Sequence, residues 1–206
     1  VTNNDGGTAV PNDWTLTAAA LAPDDGRNFF NLGGSGVFET VFAGVGYDLS
    51  ESMVAGYLAG SWSCDGGELV GSTITLDLDE DVTCTINNND IAPTLKLVKT
   101  VTNNDGGTAV PDDWTLYATG TGGFSNLGGS GVFTPVMAGV GYVLSESAVA
   151  GYLAGSWSCD GGELVGSTIT LDLDEDVTCT INNNDIAPTL KLVKTVTNND
   201  GGTAVP

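Results

Sequence analysis

Three polar residues stand where an alternating pattern puts apolar ones. Successive side chains of a strand point to opposite faces. Within residues 95–101, Leu95, Leu97, Lys99 and Val101 share one face, and Lys96, Val98 and Thr100 the other. The same count groups Tyr142 and Leu144 with Glu146, and Val177, Cys179 and Ile181 with Asn183. One amine, one carboxyl and one carboxamide are each sent into an apolar layer. An isolated buried charge is costly, so the three should meet. A lysine desolvated in this way tends to lose its proton and become a nucleophile. The alternatives are a plain ion pair with Glu146, or a lysine that snorkels at a sheet edge. Asn182, Asn183 and Asn184 are consecutive, and parity selects Asn183.

The cysteines are the second reactive set. Cys159 shares a face with Trp157, and Cys179 lies among Val177 and Ile181. Both look core-facing, which makes Cys159–Cys179 the natural bridge, with Cys64–Cys84 as its counterpart. Closing such a loop contributes roughly 3 kcal/mol in the chain-entropy account. Reduced, buried thiols are the alternative. Two equivalent pairs point to an oxidising, extracellular setting. Two cysteines and no histidine do not complete a tetrahedral zinc site.

Clustered oxygens offer a third chemistry. Asp105 in "NNDGG" and Asp172, Asp174 and Asp176 in "DLDEDV" are hard ligands of the kind calcium takes. Neither stretch has the spacing or flanking helices of a helix–loop–helix calcium site. Turn chemistry and a solvated acidic hairpin account for them more simply. No cofactor is required; calcium is the one candidate ion, with the stretch 182–189 ("NNNDIAPT") a further place for it.

Other functions are disfavoured by composition. The 206 residues carry 26 acidic and 5 basic groups, a formal charge of −21, and no histidine. Nucleic acid and anionic lipid need clustered Lys and Arg. No apolar run approaches a membrane span of ~20 residues, so no membrane insertion is expected. The glycines of "LGGSGV" and "GVGY" precede no helix, as a phosphate cradle would require. Without histidine a Ser-His-Asp site is excluded, and no carboxylate pair suggests a glycosidase. An enzyme is not expected.

The elements that must hold these residues are set by a repeat. "VTNNDGGTAVP" begins at residues 1, 101 and 196. The stretch from Ser50 returns at Ser145 with Met53 replaced by Ala148. The unit is therefore domain-sized, about 95 residues. Its period is two, in some seven short runs: "LKLVKTV", "DWTLYA", "GVFTPVM", "GYVLSES", "GSWSC", "STITLDL" and "DVTCTIN". Gly, Asp and Asn clusters separate them. The spacing predicts an all-β protein of tandem Ig-like antiparallel β-sandwich modules. Residues 1–92 form a module lacking its first strand, 93–188 a complete one, and 189–206 the first strand of a further one. Trp14 and Trp114 follow a turn and are expected to plug the sandwich.

An early strand with an inward lysine, a "YxLxE" strand and a last strand ending in Asn resemble the prealbumin-like, collagen-adhesin B-type domains of bacterial surface proteins. "LVKTVTNND", "AGSWSCDGG" and "CTINNND" resemble a tandem-repeat branch of that group, and the resemblance covers the whole chain. It implies that Lys99 can join Asn183 in an isopeptide bond, with Glu146 as the proton shuttle. Glu51 and Asn88 are the counterparts in the first unit, and Lys194 in the third. The expected function is structural: a unit of a secreted or surface-anchored filament or stalk, with copies of itself as partners. The units join as a continuous array or by exchange of the strand at 189–206. The alternative is an adhesin that binds a host protein, matrix or sugar through the loop that differs between copies, residues 17–36 and 117–131.

Overall fold

The computed structural model describes residues 1–21 and 27–206; residues 22–26 of the variable loop lie outside the described residues. The second unit is a two-layer sandwich. One layer runs Phe124–Leu127, Thr115–Thr119, Gly141–Glu146, Thr168–Thr170, Glu163–Val165, all antiparallel. The other runs Phe133–Pro135, Thr94–Thr102, Asp176–Asp185, Tyr152–Ala154, with Ser158–Cys159 also on the Asp176–Asp185 strand. Helix is confined, among the described residues, to 3₁₀ turns at Pro11–Asp13 and Pro111–Asp113. Each places a Trp against the core, with Trp14 and Trp114 both buried.

The first and last strands of this unit pair in parallel, from Thr94↔Asp176 to Thr102↔Asn184. The sequence reading expected an antiparallel sandwich. A period of two fixes which face a residue takes, and leaves strand direction open. Sequence-distant ends can lie side by side in either sense. Three short strands also lay outside the expected seven: Phe124–Leu127, Tyr152–Ala154 and Glu163–Val165. The last two are only three residues long, too short to show a period.

The core follows parity. Leu95, Leu97, Trp114, Leu116, Tyr142, Leu144, Ile169, Leu171, Val177, Cys179 and Ile181 form one buried cluster. Fully burying each large aliphatic contributes about 1.5–3 kcal/mol. The first unit repeats one layer: Phe29–Leu32, Thr15–Ala20, Gly46–Glu51, Thr73–Thr75, Glu68–Val70. Its other layer is broken into Tyr57–Ala59 with Asn88–Asp90, and Ser63–Cys64 with Cys84–Thr85. Among the described residues, no counterpart of Thr94–Thr102 runs alongside here, apart from one parallel bridge between Thr2 and Asn89. Without that neighbour the last strand is not continuous, and the buried apolar cluster shrinks to Ala18, Tyr47 and Ile74.

The units meet directly. Asp174 N–H donates to Ile91 O at 3.0 Å, and Ala138 N–H to Asp5 O at 2.9 Å. Pro93 is buried at this junction.

Candidate functional site: a buried lysine, glutamate and asparagine

Lys99 sits on the first strand opposite Ile181, two places from the Val101↔Asn183 pair. Parallel neighbours in register share a face, so Lys99 and Asn183 both point inward from adjacent strands. They are 3% and 2% exposed. Glu146 ends a strand of the opposite layer and reaches across the core. The Lys99 amine donates to Glu146 Oε2, and Asn183 Nδ2 donates to Glu146 Oε1 at 2.7 Å. The carboxylate thus bridges amine and carboxamide. Asn183 Oδ1 is buried with no partner.

The surroundings tune the amine. Burial pushes the Lys99 pKa down, the hydrogen bond and charge of Glu146 push it up, and the balance lies below the usual lysine value. Its Nζ also stands 4.7 Å from the centre of the Trp114 ring, a cation–π contact. Trp114 is held in turn by an edge-on contact with Tyr152 at 5.2 Å. Gly128 lets this happen: a Cβ there would lie 2.6 Å from Lys99 Cβ.

In the first unit the same two partners are assembled. Asn88 Nδ2 donates to Glu51 Oε1 at 2.8 Å, whereas Glu51 Oε2 is buried without a partner. Lys194, the third-unit lysine, lies on the exposed tail, away from both.

Both disulfides are present: Cys64–Cys84 and Cys159–Cys179, each 20 residues apart in sequence. Each joins directly paired residues of neighbouring strands. Cys179 is buried, while Cys159, Cys64 and Cys84 are half-buried.

The oxygen clusters resolve into turn chemistry. Asp172 N–H binds Glu175 Oε2 at 2.8 Å, and Asp176 accepts from the Thr94 hydroxyl. Asp174 takes a positive φ of 62°, and Asp105 uses its own N–H on Asp185. Among the described residues no three metal-ligating side chains converge, so Asp105, Asp172, Asp174 and Asp176 are not brought together.

Asp185 and its counterpart Asp90 escaped the sequence reading. Asp185 accepts the backbone N–H groups of Asn104 (3.0 Å), Asp105 (2.8 Å) and Gly107 (2.7 Å). Asp90 does the same for Asn4, Asp5 and Gly7. Burial pushes each carboxyl up, but the three N–H bonds outweigh it and hold both below the usual aspartate value. The "NNDGG" turn is thereby fastened to the end of the last strand. Extending the parity count two places beyond Asn183 reaches Asp185, and that is the signal that would have found it.

The prealbumin-like fold domain matches residues 1–86 and 90–181, and the chain belongs to that family. A search of curated proteins returns no match. Among solved structures, a major pilin protein (T3.2) from Streptococcus pyogenes is 16% identical, covering 84% of this chain and 90% of that one, with a TM-score of 0.33. A Mobiluncus mulieris adhesin, described as containing intramolecular disulfide, isopeptide and ester cross-links, is 12% identical, covering 84% and 85%, with a TM-score of 0.37.

Proposed function

We propose that the chain is a structural repeat unit of an extracellular or cell-surface filament or stalk, its modules locked by internal covalent bonds. The observation that carries this reading is the dry contact of Lys99, Glu146 and Asn183, which ties the first strand of a module to its last. Two disulfides add a second tie, and their presence favours an oxidising compartment.

The lock follows from the chemistry of the three groups. Glu146 takes a proton from Lys99, leaving a neutral amine. A half-turn of the Asn183 carboxamide exchanges Nδ2 and Oδ1, and the protonated Glu146 then donates to Oδ1 and polarises the carbonyl. Lys99 Nζ attacks Cγ, a C–N bond forms, and the bond to Nδ2 breaks. Nδ2 leaves as ammonia with the proton shuttled by Glu146. No oxidant or cofactor is needed.

Intact mass tests this directly. The parent is expected to lack one ammonia for the complete module, and Glu146→Gln to regain it. A parent at full mass after long incubation would reduce the site to an ion pair. A second reading, an adhesin contact, is favoured by Phe30. It is 74% exposed within the variable loop, where the second unit has Ser125. Binding of isolated modules to matrix proteins or sugars, abolished by Phe30→Ser, would support it.

A further inference from the structure

The chain passes from one module to the next through residues 91–93, and this short linker is bonded to both sides. Ile91 N–H donates to Gly56 O of the first module at 2.9 Å, while Ile91 O accepts from Asp174 N–H of the second at 3.0 Å. Pro93 fixes its own φ and has no N–H to leave unpaired. Its O accepts from Val136 N–H at 2.9 Å. A flexible connector would leave such groups to water.

The faces beside the linker meet at backbone range. The "NNDGG" turn of the first module, residues 3–7, offers Asp5 O to Ala138 N–H at 2.9 Å. Gly6 lies so close that a Cβ there would run into Ala138 O, and a Cβ on Gly56 would lie 2.5 Å from Leu173 Cβ. Both glycines take a positive φ, 101° and 77°. Two bare glycines thus form a socket, and the loops carrying Ala138 and Leu173 form the plug. The shape of the socket is held from behind. Asp90 ends the last strand of the first module, and its carboxylate accepts the N–H groups of Asn4, Asp5 and Gly7. Those amides lie on both sides of Gly6.

Domains on a short linker ordinarily move against each other unless their contact is extensive. We propose that these two modules move as one body, with Asp90 a positioning residue that shapes the docking turn and thereby sets the angle between them. The surface fits another module of the same repeat. Gly6, Gly56 and Asp90 recur as Gly106, Gly151 and Asp185, and Ala138 and Leu173 match Ala43 and Leu78. None of these residues falls in the stretches where the copies differ, 17–36 and 117–131, so the loop varies while the joint stays constant. This goes beyond the structural role proposed above and does not depend on a bond between Lys99 and Asn183.

Nuclear magnetic resonance of the full, oxidised chain tests the inference. Residual dipolar couplings from the two modules of the parent should fit one alignment tensor. Asp90→Asn should release the Asn4, Asp5 and Gly7 amides to exchange and split the couplings into two tensors. Asp185→Asn, the same change away from this joint, should leave a single tensor. Leu173→Asp spoils the plug and leaves the cradle, so it should split the tensors while those three amides stay protected. This variant keeps the test decisive where Asp90→Asn disturbs the fold of the first module. Two tensors in the parent would overturn the inference, and so would a single tensor persisting in a folded Asp90→Asn or in Leu173→Asp. Intact mass reads the Lys99–Asn183 lock separately, so the failure of one leaves the other standing.

Discussion

The two modules allow one substitution to be measured twice in nearly identical surroundings. Glu146→Gln removes the carboxylate that faces a buried lysine. Glu51→Gln removes the same group where no lysine stands. In the second module Lys99 is left desolvated beside a neutral amide. Before any Lys99–Asn183 bond forms, breaking a buried pair from one side costs about 3–5 kcal/mol. The Glu146 side chain retains 11% exposure, which places the loss toward the lower end. In the first module only the bond from Asn88 changes, and a typical net hydrogen bond is worth about 0.5–1.5 kcal/mol. The difference between the sites should therefore be about 2 kcal/mol or more, a 30-fold change in opening equilibrium at about 1.4 kcal/mol per decade. Hydrogen exchange resolves the modules: residues 176–185 should lose protection in Glu146→Gln far more than residues 84–90 do in Glu51→Gln. Equal losses in both modules would show that Lys99 draws nothing from Glu146, and the case for a reactive triad would fail with it.

Other consequences are open to simpler measurements. Replacing Cys159 and Cys179 by serine should lower the stability of the second module by about 3 kcal/mol, read as a lower denaturant midpoint; an unchanged midpoint would refute this. Asp90 and Asp185 have folded pKa values below their unfolded ones. Their contribution is thus fully present above the ordinary aspartate value of ~3.9 and is lost as pH falls through the folded values. The double change to Asn should flatten acid unfolding below about pH 4, and an unaltered acid limb would exclude the cradle as its source. Gly107→Ala would put a Cβ 2.3 Å from the Tyr152 hydroxyl and 2.9 Å from Asp185 Cβ. Overpacking of this kind costs about 1–3 kcal/mol and should speed exchange of the Asn104 and Asp105 amides; retained protection would show that the turn has room to shift.

Parity carried much of this site into view before any coordinates. Lys99, Glu146 and Asn183 were placed by counting in twos, and the choice of Asn183 over its neighbours is reflected in their partners. Asn182 faces outward and accepts from the Thr100 hydroxyl at 2.9 Å, and Asn184 is exposed. Partners were less legible than faces. A period of two assigns a side chain to a layer, yet it does not say whether the adjacent strand runs with it or against it. Hence the parallel pairing of residues 94–102 with 176–184 came from the structure. The strand Phe124–Leu127 was hidden inside the variable loop, where glycine and serine dilute the alternation. The carboxyl cradles were missed for another reason: their donors are backbone groups, which no letter of the sequence displays.

The parallel pairing also bears on how a module would carry force. In an array of the proposed kind, tension would enter at Thr94 and leave at Asp185, the outer ends of the paired first and last strands. Parallel strands pulled from opposite ends are loaded in shear, so the ladder from Thr94↔Asp176 to Thr102↔Asn184 resists together rather than one bond at a time. A covalent bond between Lys99 and Asn183 would lie within that ladder. Load would pass from residue 99 to residue 183 through the new amide. Residues 100–182, with the Cys159–Cys179 bridge among them, would bear none. The disulfide would then serve folding and resistance to heat and protease, and the lysine bond would serve tension. On that reading the two ties would not be redundant, although both join elements that already touch.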